Sequence, residues 1–130
     1  MAAHEATFGA SGIKLGLFCS TPAVALSRNI QRKQAMQMLL TGDLISSKQA
    51  LLYGLINRVV PRESLEIETM AIAEKISSNS NYAIRLGKEM FYKQLQCDDL
   101  EDAYELATNR ISKNFQHDDA RRGIAAFVEK

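Results

Sequence analysis

The residues of this sequence that could do chemistry are few, and their spacing disfavours most of the familiar reactions. Neither His4 nor His117 has a Cys, Asp or Glu beside it at metal-ligand spacing, and both are expected at the solvent. Cys19 and Cys97 form no CxxC or Cys–His pair, so zinc binding and a disulfide framework are both disfavoured, and two reduced thiols are the simpler expectation. Cys19 becomes a candidate for reactivity only if the fold exposes it. Gly9, Gly12 and Gly16 lack the spacing of a dinucleotide-binding turn, and no GxSxG, HExxH or P-loop pattern occurs. The acidic pairs Asp98-Asp99, Glu101-Asp102 and Asp118-Asp119 fall at the expected starts of helices. A negative charge there favours the helix macrodipole, a role expected in preference to catalysis.

The elements that must position any site are signalled most clearly between Leu39 and Pro61. Leu39-Leu40-Thr41-Gly42 reads as a helix end with glycine at the left-handed position. Ser46 and Gln49 have the spacing of a capping box, and Ala50 to Tyr53 carry that short helix to a second stop at Gly54. Leu55, Ile56, Val59 and Val60 are strand formers, and Pro61 ends the strand. Upstream, Ala6–Phe8 could be a short strand, and Ile13, Leu15, Leu17 and Phe18 give an alternating apolar stretch. Thr21-Pro22 suits a helix start, and a further helix over about 31–40 turns Ala35, Met38 and Leu39 inward.

Beyond Pro61 the pattern is helical throughout. Ser64 is expected to cap a helix reaching about Ile76, and a second spans Tyr82 to about Leu95 with Ala83, Leu86, Met90 and Phe91 as its stripe. A third begins at Asp98 or Asp99, and its Leu100, Ala103, Tyr104, Ala107, Ile111 and Phe115 keep the cleanest 3.6-residue period in the chain. Asp118 is expected to cap a fourth. The chain thus divides into 1–61, with short strands and helices, and 62–130, a helical region. A lone strand at Leu55–Val60 must pair its backbone, and Ala6–Phe8 is the candidate partner, so the sheet looks incomplete.

Composition sets outer bounds. With 130 residues, 46% hydrophobic and 24% charged, the chain matches ordinary globular proteins, and its net charge of +1 disfavours a nucleic-acid partner. No apolar run approaches the ~20 residues that span a bilayer, so no membrane partner is expected. The start, MAAHEATFG, has the character of neither a secretory signal nor an Arg-rich presequence.

Three separated blocks carry a family resemblance. Ala35 to Pro61, with MLLTG, Ile45-Ser46 and GLINRVVP, resembles a run characteristic of the enoyl-CoA hydratase/isomerase, or crotonase, family. Phe8-Gly9 through Gly16 is similar to the family's FGxPExxxG segment, and Asp118-Asp119 with Gly123, Ala126-Phe127 and Glu129-Lys130 to its closing DDxxEGxxAFxEKR. The detail Gly16-Leu-Phe-Cys-Ser-Thr-Pro22 resembles one mitochondrial branch in particular.

The resemblance implies the C-terminal portion of an α/β crotonase (ClpP/crotonase-like) fold, mostly helical with one or two short strands. In it, 1–61 ends the spiral core and 62–130 is the assembly region. It implies a coenzyme A thioester as ligand with no cofactor or metal, and fatty acid (acyl-CoA) metabolism in the mitochondrion. In the full-length form it implies a homo-oligomer, a trimer or dimer of trimers. The family's oxyanion hole polarises the thioester carbonyl, and in the hydratases two glutamates activate the added water. The oxyanion-hole donors and one glutamate belong to a half of the domain outside this sequence. The other glutamate position is Gly12, and the acid used instead by some isomerases falls at Ser20, which has no apparent activating partner. No catalytic residue is therefore expected within the chain, and normal hydratase activity is not expected.

Weaker assignments to acyl-CoA binding fall on four residues. Lys130 matches a lysine that reaches CoA nucleotide phosphates in a neighbouring subunit, and reads equally well as a solvated lysine. Ile111 falls where hydratases place a phenylalanine near adenine, and reads also as core. Ile13 and Leu17 would lie beside the acyl pocket, though packing alone accounts for them. Three functions remain open: a family member with weak, altered or no hydratase activity, a non-catalytic oligomerising acyl-CoA-binding or regulatory protein, and an unrelated helical interaction domain. The last requires that no strand form at Leu55–Val60 and that this segment make no contact with Ala6–Phe8.

Overall fold

Three left-handed glycines and one capping box set the geometry of the first half of the molecule. The computed structural model describes residues 1–129. Helix α1 spans Ser20–Asn29, α2 Arg32–Thr41, α3 Ser47–Leu52, α4 Leu65–Ser77, α5 Asn81–Gln94, α6 Leu100–Phe115 and α7 Asp118–Val128. Strands β1 (Ala2–Ala3), β2 (Thr7–Phe8), β3 (Ile45–Ser46) and β4 (Val59–Val60) are two residues each, and 3-10 turns occupy Ser11–Leu15 and Arg62–Ser64.

Helix α2 stops where Gly42 takes φ 64°, a left-handed conformation that costs a residue with a Cβ roughly 1–2 kcal/mol. Its N–H bonds the Met38 carbonyl and closes the last turn. At Ser46 both arms of the capping box are made: Oγ accepts from the Gln49 N–H at 3.2 Å, and Gln49 Oε1 accepts from the Ser46 N–H at 3.0 Å. Next to it, the fully buried Ser47 donates from Oγ to the His4 carbonyl at 2.6 Å.

The molecule forms two compact units, Met1–Ile72 and Ala73–Lys130, so the division falls inside α4, later than the change of character after Pro61. In the first unit Ala10, Leu26, Ile30, Ala35, Met38, Leu39, Ile45 and Ala50 form a contiguous buried core. Ala35, Met38 and Leu39 thus face inward as their spacing predicts. In the second unit α5 packs on α6, and α6 on α7. Among its described residues none is fully buried. Its apolar stripes are covered only in part, Leu86 and Met90 being half-buried and Tyr104 and Phe115 exposed.

Several sequence expectations are corrected. The strand at the end of the Leu39–Pro61 segment is confined to Val59–Val60, and its partner is Ala2–Ala3 in parallel register, Ala2 opposite Val59. Thr7–Phe8 pairs instead with Ile45–Ser46, antiparallel. Among the described residues there are four strands where one or two were expected, because single pairs of residues close ladders too short to leave a sequence pattern. The alternating apolar stretch Ile13–Phe18 is the end of a 3-10 turn and a loop, and Leu15 (81%) and Leu17 (66%) are exposed. Helix α1 begins at Ser20, so Pro22 stands third, where a missing N–H is still one of the helix's free donors. Ser64 caps nothing: the 3-10 turn Arg62–Ser64 runs directly into α4. The cap of α7 is His117, not Asp118, and His117 is half-buried where solvent exposure was expected.

Candidate functional site

The site positions read from sequence meet in the loop between β2 and α1. Its first turn, Ser11–Leu15, is terminated by Gly16 at φ 76°, and the Leu17 N–H returns to the Gly12 carbonyl at 3.0 Å. The Phe18 carbonyl then accepts from the Ser20 N–H at 2.8 Å and from Ser20 Oγ at 3.4 Å. These bonds fold the loop back on itself, so that Gly12 N–H donates to Cys19 Sγ at 3.2 Å.

The end of α2 holds this loop in place. A Cβ at Gly42 would stand 2.8 Å from Ile13 Cγ2, so the 3-10 turn packs closely against the helix stop. Lys14 Nζ pairs with Asp43 Oδ1 at 3.1 Å just beyond it. Both partners are exposed, which limits such a pair to roughly 0–1 kcal/mol.

Gly12 is the position that decides what the loop can do. A Cβ there would lie 2.7 Å from Cys19 Sγ and 2.9 Å from the Leu17 carbonyl oxygen. The second contact is backbone and cannot swing aside. The loop in this conformation therefore has no space for any side chain at Gly12, a carboxylate included. Ser20 is exposed and spends its hydroxyl on a backbone carbonyl. Cys19 is half-buried, at the N-cap of α1, without a side-chain capping bond. Asp43, just beyond the end of α2, is tied to Lys14. Among the described residues no group of three His, Cys, Asp or Glu could hold a metal ion.

The remaining site positions lie elsewhere. Ile111 sits on α6 in the second unit and is half exposed rather than core, lining an apolar groove with Ala83, Leu86 and Met90 of α5. Lys130 lies outside the described residues. The fold thus brings together Gly12, Ile13, Leu17 and Ser20, and the sequence pattern missed the Gly12–Cys19 bond. A glycine and a cysteine seven residues apart carry no signal that a loop will close between them.

A second cluster joins a Ser, an Asp and a His, yet it is not a nucleophilic triad. Ser80 Oγ donates directly to Asp119 Oδ2 at 2.5 Å, and His117 Nδ1 accepts the Asp119 N–H at 3.3 Å. A triad needs the imidazole between hydroxyl and carboxylate. Here the carboxylate takes the hydroxyl itself. That bond is the main cause holding the Asp119 carboxyl below the usual carboxylate range.

Comparison with known proteins agrees with the loop and helix arrangement. The family model for enoyl-CoA hydratase/isomerase matches residues 1–130. The chain belongs to the enoyl-CoA hydratase/isomerase family. It is 51% identical over 130 residues to the mouse (Mus musculus) "Enoyl-CoA hydratase domain-containing protein 3, mitochondrial", covering 100% of this chain and 43% of that protein. The human (Homo sapiens) protein of the same name is 47% identical, with the same coverage.

Two solved structures share the crotonase fold. Human enoyl Coenzyme A hydratase domain-containing protein 3 superposes at a TM-score of 0.93 with 46% identity, covering 98% of this chain and 50% of that one. An enoyl-CoA hydratase from Mycobacterium smegmatis gives a TM-score of 0.95 with 43% identity, covering 98% and 49%. This chain therefore spans about half the length of the family members it matches. An unrelated helical domain is excluded by the match and by the strand at Val59–Val60.

Proposed function

We propose that this chain is the C-terminal portion of an acyl-CoA-binding protein of mitochondrial fatty-acid metabolism, and that the protein does not perform ordinary enoyl-CoA hydration. The observation that carries the proposal is the closed seat at Gly12, where a Cβ would stand 2.9 Å from the Leu17 carbonyl. Water addition across a conjugated double bond needs a base to take the water's proton. In this reading Gly12 stands where the hydratases carry a glutamate, and no carboxylate of the loop can replace it. Ser20 is no substitute, because its hydroxyl has no base beside it. Ile13 and Leu17 border the acyl chain, Ile111 contacts CoA, and Lys130 meets the nucleotide phosphates of a neighbouring subunit. The names of the mouse and human relatives support the mitochondrial location.

The test is crotonyl-CoA hydration, followed by loss of the enoyl-thioester absorbance, alongside calorimetric titration with a saturated acyl-CoA, both on the intact protein that bears this sequence. Saturable binding without turnover is the expected result. Hydration at the rate of an ordinary hydratase overturns the proposal.

A second reading, a non-catalytic oligomerising protein, is favoured by one observation. Leu100, Tyr104, Ile124, Phe127 and Val128 of the second unit are all exposed. Sedimentation of the intact protein as a stable monomer, with no dye-accessible apolar surface, removes that reading.

A further inference from the structure

The start of α7 is built on an unusual cap. Ser, Thr, Asp and Asn dominate N-caps because their oxygens accept a backbone N–H in any ordinary charge state. His117 does this with a ring nitrogen: Nδ1 accepts the Asp119 N–H at 3.3 Å. An imidazole can accept at Nδ1 only as the neutral Nε2–H tautomer, and its protonated form has two donors and no acceptor.

Residue 117 is held from three helices, its ring by two of them. From α5, Tyr82 stacks flat on it, with centroids 3.9 Å apart and planes 6° from parallel, and Arg85 lies over the Tyr82 ring at 5.9 Å. From α6, the Asn114 carbonyl accepts the His117 main-chain N–H at 3.1 Å, which fixes the backbone that carries the ring. From α7, Asp119 Oδ2 stands 3.6 Å from Nδ1, while Asp119 Oδ1 takes the Arg122 guanidinium and Asp118 faces Arg121 at 3.9 Å. The Asp119 carboxylate is also tied to Ser80, the residue that caps α5. One imidazole and one carboxylate therefore join the starts of α5 and α7.

We propose that His117 is a proton-operated cap, whose protonation exchanges one partner for another at the start of α7. Neutral His117 accepts the Asp119 N–H. A proton taken from solvent onto Nδ1 removes that acceptor and creates an N–H donor. The new donor turns to Asp119 Oδ2, already within 3.6 Å, and the Asp119 amide goes to water. The imidazolium is then a positive charge at the positive end of a helix, which weakens the first turn of α7. The ion pair to Asp119 and the Tyr82 face keep the ring in place during the exchange.

The experiment is a two-dimensional NMR titration of the intact protein, selectively 15N-labelled at His and Asp. At high pH, His117 Nδ1 is expected at the resonance of an unprotonated nitrogen. The Asp119 amide is expected to shift with a midpoint equal to that of the His117 ring. His117→Asn keeps a capping oxygen and removes the titration, so its Asp119 amide should not move over the same interval. A high-pH Nδ1–H tautomer overturns the proposal. So does an Asp119 amide indifferent to the ring, or one that titrates unchanged in His117→Asn. His117→Ser, a second non-titrating cap, gives the same reading should the Asn variant fold poorly.

Discussion

The Gly12 N–H donates to Cys19 Sγ at 3.2 Å, and the space a Gly12 side chain would need is occupied by that sulfur and by the Leu17 carbonyl. The bond and the exclusion are one fact seen from two atoms. The loop is closed because residue 12 has no side chain, and residue 12 can have none while the loop is closed.

Restoring a carboxylate at this position should therefore fail to restore hydration. Gly12→Glu is expected to lose stability and gain no crotonyl-CoA turnover. Gly12→Ala, the smallest intrusion, should already cost about 1–3 kcal/mol, the usual range for overpacking. Urea denaturation measures it. A neutral Gly12→Ala would mean that the loop yields easily and that the seat is open.

The two helix stops should differ in their tolerance of alanine. Gly42 has φ 64° and meets Ile13 Cγ2 at 2.8 Å, whereas Gly54 has φ 79° and open space around it. Gly54→Ala should cost only the left-handed backbone penalty, roughly 1–2 kcal/mol. Gly42→Ala should cost that and the displacement of the 3-10 turn. Denaturation midpoints of the two variants give the order directly, and equal losses would remove the claim that Gly42 positions the site loop.

The neighbouring serines of α3 should fail for different reasons. Ser46→Ala removes the hydroxyl arm of the capping box, leaves the Gln49 side chain on the residue-46 N–H, and should cost about 1 kcal/mol. Ser47→Ala deletes the bond from a fully buried hydroxyl to the part-buried His4 carbonyl, and should cost about 1 kcal/mol. Amide exchange separates them: Ser46→Ala should loosen the first turn of α3, and Ser47→Ala the segment around His4.

How much of this was legible beforehand depended on how local each signal was. Gly42, Gly54 and the Ser46–Gln49 box act over three or four residues, and each lies where the pattern puts it. The partner of Val59–Val60 was not legible. Ala2-Ala3 has no β-branched or aromatic residue, and its pairing is set by the fold around it. The helical periods of α5 and α6 correctly indicate helices, but Tyr104 and Phe115 on that stripe are exposed. Periodicity shows which face is apolar and says nothing of what covers it. At the site, the glycine at 12 was visible from sequence, while the cysteine that fills its place was visible only in three dimensions.

Acid should act on the second unit through Asp119. The Ser80 hydroxyl chiefly holds its carboxyl below the ordinary range, helped by His117 and Arg122 and opposed by desolvation. A carboxyl whose folded pKa is lowered stabilises the fold fully above its unfolded pKa, and that contribution disappears as pH falls through the folded value. Ser80→Ala should move the Asp119 midpoint upward in a 13C-carboxyl NMR titration. An unmoved midpoint would remove Ser80 as the cause.

The parallel pairing of Ala2–Ala3 with Val59–Val60 has a kinetic consequence. Two-residue strands bring little enthalpy, yet joining them closes a loop containing nearly the whole first unit, and the entropy lost grows with the logarithm of that length. The contact becomes favourable only after α1, α2 and α3 have shortened the path by packing on one another. Val59 and Val60 should therefore contribute little to the folding transition state, and weakening them should speed unfolding while leaving the folding rate nearly unchanged.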